Sequence, residues 1–221
     1  MKIKALIFDM DGVIMDSMGM WKTLVIDYLK KKNVEADMAF ARTLYTCSMS
    51  QAAERMIAQY GLDMTVEEVV ADVNNYIGNF YRNIVQPKGD AADGLKRLSE
   101  LGYPMCVATA TDRPLTEAAL KRTGLLDLFE FVVTASEVGA AKDRPDIFFE
   151  AAQKLGLDPG EVLVIDDNLV AVKTAGGAGF ETCGMYDEHE KEILPMLRDN
   201  AGFVAYTISE IISKITEKPS E

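Results

Sequence analysis

A doubly wound, parallel α/β sheet with an inserted all-helical domain is the fold that the sequence predicts, and three observations predict it. Short apolar runs without clear polar alternation recur along the chain, as expected of strands buried on both faces of a parallel sheet. Helical patterns with recognisable ends lie between these runs. One long stretch, from about residue 18 to 85, shows helical periodicity and no good strand.

The apolar runs fall at residues 3–8, 104–109, 131–134, 162–165 and about 180–185. Between them, "AADGLKRLSELG" closes at Gly102, "PLTEAALKRTG" opens at Pro114, and "PDIFFEAAQKLG" opens at Pro145 and closes at Gly156. Proline at a helix start and glycine just past its end are the expected punctuation, because a helix start has no use for the missing N–H and a helix stop favours positive φ. Alternation of strand and helix then implies the doubly wound sheet.

Inside the helical stretch, Trp21, Leu24, Val25, Tyr28 and Leu29 share one stripe, and Val66, Val69, Val70, Val73, Ile77, Phe80 and Tyr81 share another. Two amphipathic helices of this kind need a common core. Thr65 followed by Glu68 reads as a capping box, and Gly61 as the stop of the preceding helix. The expected division is a core domain of residues 1–16 and 86–221 and a helical domain of residues 17–85, with the last four residues, "KPSE", frayed.

Composition narrows the function. Apolar residues make up 48% of the 221, which is ordinary for a globular chain. Lysine and arginine total 23 against 35 aspartate and glutamate, a net charge of −12 that repels a phosphate backbone and argues against a nucleic-acid partner. Cys47, Cys106 and Cys183 are far apart with no C-x-x-C pair, so neither a disulfide framework nor a zinc site is indicated. The N-terminal apolar run is too short for a signal peptide, and no stretch reaches the length of a membrane span. The expectation is a cytoplasmic protein, monomeric or weakly dimeric, with a small-molecule partner and no membrane partner.

In an open parallel sheet, ligands bind beyond the carboxyl ends of the strands. Four places there carry chemistry: Asp9 and Asp11 after the first run, Thr109 and Thr111 after "PMCVA", Lys142 before the helix at Pro145, and Asp166 with Asp167 after "VLVI". Each alone has a bland reading. An isolated aspartate pair is a turn or a cap, Asp166 and Asp167 can cap a helix starting near Asn168, and a lone lysine is a solvated side chain. Together they bring several carboxylates to one lysine, and burying so many like charges is costly unless a cation joins them. Carboxylate oxygens without histidine or cysteine ligands select a hard divalent ion, most naturally magnesium.

At these residues the chain resembles the haloacid dehalogenase-like superfamily of phosphotransferases. "DMDGVIMDS", "VATAT", "KDRPD" and "VIDDN" look like its four signature motifs, in the right order. The helical insertion after the first motif is similar to the mobile cap of the subgroup containing β-phosphoglucomutase and many small phosphatases. The resemblance implies that Asp9 is the nucleophile that forms an aspartyl-phosphate, and that Asp11 is the general acid and base. It implies that Thr109, with the backbone N–H groups of Ala110 and Thr111, binds phosphoryl oxygens while Lys142 neutralises their charge. It further implies that Asp9, the backbone carbonyl of Asp11, Asp166 and Asp167 hold Mg2+.

Within the superfamily, Asp11 argues against dehalogenation, since a halide leaving group needs no proton. The phosphonate-cleaving relatives also keep no acid there. The mutases are closest in layout, yet Trp21 stands where they carry a hinge histidine, and the expected arginine near Met49 is missing. The cap residues Met18, Met20, Trp21 and Met49 suggest an apolar face over the leaving group or, equally, the packing of the cap's own core. Arg113 could reach a second acidic group of a substrate. The expectation is therefore a magnesium-dependent phosphatase for a small phosphorylated metabolite. A sugar phosphomutase, or a non-enzymatic phosphoryl-accepting receiver module, is the alternative.

Overall fold

The computed structural model describes residues 3–44, 47 and 49–217. Its first strand, β1 (Ala5–Phe8), is buried at every position. The helices α1 (Met18–Lys31), α2 (Met38–Thr43), α3 (Met49–Tyr60) and α4 (Val66–Asn83) follow without an intervening strand among the described residues. Then come α5 (Ala91–Glu100), β2 (Met105–Thr109), α6 (Arg113–Arg122), β3 (Phe131–Thr134) and α7 (Ala135–Val138). The chain continues through α8 (Asp146–Leu155), β4 (Val162–Asp166), α9 (Leu169–Gly177), β5 (Glu181–Met185), α10 (Leu194–Asn200), β6 (Phe203–Ala205) and α11 (Ile208–Thr216).

The strands form one parallel sheet in the order β3-β2-β1-β4-β5-β6. The five apolar runs read from the sequence are β1 to β5. Only β6 was not anticipated. It is three residues long, with Ala205 alone fully buried, too short to display a period. Ile7, Cys106, Ala108, Val133 and Val164 pack on one side of the sheet with Ile147, Phe148, Ala151 and Ala152 of α8 and Ala171 and Ala175 of α9. Gly94 of α5 lies so close to Ile208 of α11 that a Cβ there would come within 2.6 Å of it.

Register brings the site residues to one edge. Phe8, the end of β1, lies opposite Val107 of β2 and Ile165 of β4. Because β2 and β4 flank β1 in a parallel array, Asp9, Thr109 and Asp166 emerge at the same carboxyl edge. This is where the strand order reverses, the crevice that open α/β sheets use for ligands.

Chain contacts divide the protein into two units, one of the residues up to Met18 and from Val85 onward, the other Gly19–Ile84. In the helical unit, Leu24, Tyr28 and Leu29 of α1 and Val69, Val73, Ile77 and Tyr81 of α4 are buried, whereas Val25, Val66 and Val70 are only partly so. The Thr65–Glu68 capping box forms, and Gly61 follows α3 with φ +62°. The Trp21 indole N–H donates to the Tyr81 hydroxyl at 3.0 Å, and Met20 is buried. The fraying expected of "KPSE" falls outside the described residues. No helix among the described residues is long and apolar enough to cross a membrane.

Candidate active site

The main chain carries Asp9 straight off the sheet: its N–H still donates to the Ile165 carbonyl at 2.9 Å, continuing the ladder one residue past β1. The chain then reverses through Gly12, at φ +69°, whose N–H donates to the Met15 carbonyl. A glycine is required here twice over. Positive φ strains any other residue, and a Cβ would stand 2.0 Å from Oδ2 of Asp167.

Lys142 comes from the turn before α8 and lies between two carboxylates, 2.7 Å from Asp9 Oδ1 and 2.8 Å from Asp166 Oδ2. Asp9 Oδ1, whose contact is the ion pair with Lys142, and Asp167 Oδ2 are buried without a geometric hydrogen bond. Asp166 is further held by the N–H of Asn168, which donates to its Oδ1 at 2.9 Å. The cap of α9 is Asn168 itself, its side chain accepting from the N–H groups of Val170 and Ala171. The alternative that Asp166 and Asp167 serve as helix caps is thereby overturned, because a better cap follows them.

Asp11 faces differently. Its carboxylate accepts from the Ser17 hydroxyl and from the Thr111 hydroxyl, each at 2.6 Å. Thr109 is fully buried and its Oγ1 accepts from the Thr111 N–H at 3.0 Å, which leaves the Thr109 hydroxyl its own proton to donate. The Thr111 carbonyl in turn accepts from Thr116 of α6. Asp9, Lys142, Asp166 and Asp167 thus form one cluster, and Asp11, Thr109 and Thr111 a second, the two joined by the chain between Asp9 and Asp11. Ser17, a buried hydroxyl six residues past Asp11, stands at the end of the first quoted motif, but sequence reasoning gave it no role. Arg113, weighed as a reader of substrate, is committed elsewhere: it bonds to Glu117, Glu137 and the Val132 carbonyl.

Electrostatics follow from burial. Burial pushes the Asp9 carboxyl up to about 7; Lys142 opposes this, and the charges of Asp166 and Asp11 add to it. Asp167 is pushed well above the ordinary carboxylate range, by burial first and then by Asp166 and Asp9. Burial works against the Lys142 ammonium, yet the two carboxylates beside it outweigh that and hold its pKa above the usual value. One oxygen each of Asp9, Asp166 and Asp167 lies within 4.8 Å of the others. Three carboxylates against one ammonium leave two negative charges, and two of their oxygens lack hydrogen bonds. That donor set fits a hard divalent cation.

A divalent cation bound there would compete with protons for the same oxygens. A carboxyl with a raised folded pKa favours the fold while protonated, so for Asp9 that stability is present below its ordinary 3.8 and is lost as pH rises through about 7. A cation must displace the proton in the same window. The apparent affinity for magnesium is expected to fall more than about tenfold between pH 7.5 and 5.5. Calorimetry at both pH values, in buffers of different ionisation enthalpy, checks this and counts the released protons.

With that geometry in place, comparison with known proteins gives a consistent result. The family model of the haloacid dehalogenase-like hydrolases matches residues 3–179. Validoxylamine A 7'-phosphate phosphatase of Streptomyces hygroscopicus subsp. limoneus is 24% identical over 191 residues, 86% of this chain and 89% of its own. Fructose-1-phosphate phosphatase YqaB of Escherichia coli is 26% identical over 176 residues, 80% of this chain and 93% of its own. Among solved structures, a hydrolase of this family from Deinococcus radiodurans, with bound phosphate and sodium, superposes with a TM-score of 0.75 at 23% identity, covering 96% of this chain and 95% of the other.

Proposed function

The chain belongs to the haloacid dehalogenase-like hydrolase family, an enzyme family, and from that premise we propose that it is a magnesium-dependent phosphatase for a small phosphate monoester, a sugar, polyol or similar phosphate. The observation that carries this reading is the different setting of two neighbouring aspartates. Asp9 is buried against Lys142, and the Asp11 carboxylate accepts from the hydroxyls of Ser17 and Thr111. Two relatives bear the names of phosphatases for phosphorylated small molecules, which supports the same class.

In the first step an Asp9 oxygen attacks phosphorus, and the bond from phosphorus to the ester oxygen breaks. Asp11, in its protonated form, gives its proton to the departing alkoxide. In the second step Asp11 takes a proton from water as the water oxygen attacks phosphorus, and the Asp9 carboxylate departs, releasing phosphate. Lys142 neutralises charge on Asp9 and on the phosphoryl oxygens, and Thr109 donates its hydroxyl to one of them. Asp9, Asp166, Asp167 and the Asp11 backbone carbonyl would hold magnesium, which when bound balances the charge of the dianionic phosphoryl group.

Asp11→Asn separates acid catalysis from nucleophilic attack. Turnover of a sugar phosphate is expected to fall roughly 10²- to 10⁴-fold. The first-turnover burst of nitrophenol from nitrophenyl phosphate, whose leaving group needs no proton, is expected to slow far less, because it precedes the hydrolysis step in which Asp11 acts as base. Equal slowing of the first turnover on both esters would remove Asp11 from the role of acid.

The direct experiment is phosphate release from a panel of sugar, polyol and nucleotide monophosphates, with magnesium and with chelator. Release that requires magnesium from one or more of them is the expected outcome. Isomerised sugar phosphate without free phosphate would identify a mutase, and a stable phosphoprotein without turnover a receiver; either would displace this reading.

A further inference from the structure

We propose that Lys88 is a positioning residue of the acid cluster, fixing the Gly12 turn on which Asp167 rests; this builds on the reading of the site just given. Lys88 lies between Pro87 and α5, outside every signature motif. Its ammonium donates to the Gly12 carbonyl at 2.5 Å and to the Tyr186 carbonyl at 2.7 Å, and lies 2.8 Å from Oδ2 of Asp187. An ammonium has three protons, and here it meets three acceptors from two loops remote in sequence, the turn after β1 and the loop after β5. The Lys88 side chain is 18% exposed and that of Asp187 2%, so this is no solvated pair.

Residue 88 grips the turn with its main chain as well, its N–H donating to the Ile14 carbonyl at 2.8 Å. The turn matters because of what touches it. The Gly12 Cα abuts the Asp167 carboxylate so closely that a Cβ would meet Oδ2 at 2.0 Å, and that oxygen has no hydrogen bond of its own. Asp167 is therefore located by contact with the turn, and the turn is located by Lys88. Partners of this outer kind typically govern metal affinity by one to two orders of magnitude.

The rival explanation is a buried ion pair that merely ties two loops together. Asp187→Asn tests it, since it removes the charge partner and leaves Lys88 its bonds to both carbonyls. Lys88→Met removes every donor while keeping the length of the stem. Both variants are expected to lower the melting temperature. Only Lys88→Met is expected to weaken magnesium binding, about tenfold or more by calorimetry, to lower kcat with little change in KM, and to speed amide hydrogen exchange in residues 12–17. Asp187→Asn is expected to change magnesium affinity less than about threefold. If Lys88→Met fails to fold, Lys88→Arg takes its place, because a planar fork keeps the charge beside Asp187 but alters donation to Gly12; it too must bind magnesium more weakly than Asp187→Asn.

Equal magnesium affinity and equal exchange at residues 12–17 in the lysine and aspartate variants would overturn the proposal. A wild-type protein that binds magnesium but releases no phosphate would count against the phosphatase alone and leave the affinity comparison decisive. If it binds no magnesium, exchange at residues 12–17 decides by itself.

Discussion

Asp9→Asn is expected to abolish turnover, by about four orders of magnitude or more, without lowering the stability of the metal-free protein. An amide cannot attack phosphorus as a carboxylate does, so the loss falls on the chemical step. The stability forecast comes from the charges around it. Asp9 is one of three buried carboxylates, and its removal relieves repulsion with Asp166 while Lys142 keeps its contact with Asp166 at 2.8 Å. Breaking a buried pair is costly when it strands a charge, and here it strands none. The rise in melting temperature produced by magnesium should shrink in the variant, because one of the three clustered carboxylates has lost its charge. Thermal unfolding with and without magnesium, beside phosphate release, measures all of this. Retained turnover would remove Asp9 from the chemistry.

Gly12→Ala should have the second largest effect, although it adds a single methyl group and replaces no titratable residue. Two costs combine. At φ +69° a Cβ is strained by roughly 1–2 kcal/mol. The methyl would also stand 2.0 Å from Oδ2 and 2.6 Å from Cγ of Asp167, so either the turn or the carboxylate must move. Turnover is expected to fall about 100-fold or more, magnesium affinity about tenfold, and the melting temperature by roughly 5–10 °C. Gly139→Ala is the control, since Gly139 has φ +75° but nothing within 4 Å of the added Cβ. It should lower the melting temperature modestly and leave magnesium affinity as it was. Equal effects of the two substitutions on affinity would show that backbone strain alone, rather than contact with Asp167, sets the requirement at residue 12.

What was legible in the sequence was local. β1 to β5 are short, largely apolar runs, and β1, β2 and β4 end at or beside Asp9, Thr109 and Asp166, so the strands and these groups could be read without knowing how the strands pair. Parallel register then did the assembly, since β2 and β4 flank β1. The helical unit was legible for the same reason, with Thr65 and Gly61 marking ends that the chain itself dictates.

What was not legible depends on approach between distant segments. Thr111 reaches Asp11 across a hundred residues, and Lys88 reaches the carbonyls of Gly12 and Tyr186; nothing in the spacing of a threonine or a lysine announces a partner far along the chain. Arg113 illustrates the converse. Its place after the second motif suggested a substrate contact, but two glutamates and a carbonyl already engage it. At Asn168, one residue changed the meaning of its neighbours: by capping α9 it leaves Asp166 and Asp167 free of that duty.

The most direct test of the proposed chemistry is chemical trapping at Asp9. The wild-type enzyme is mixed with magnesium and nitrophenyl phosphate, quenched in acid within milliseconds, and reduced with borohydride, which converts an acyl phosphate of aspartate to homoserine. Peptide mass analysis showing homoserine at position 9, and none when the ester is omitted, is the expected result. Phosphate release with unmodified Asp9 at every quench time, or homoserine at any other aspartate, would contradict nucleophilic catalysis by Asp9.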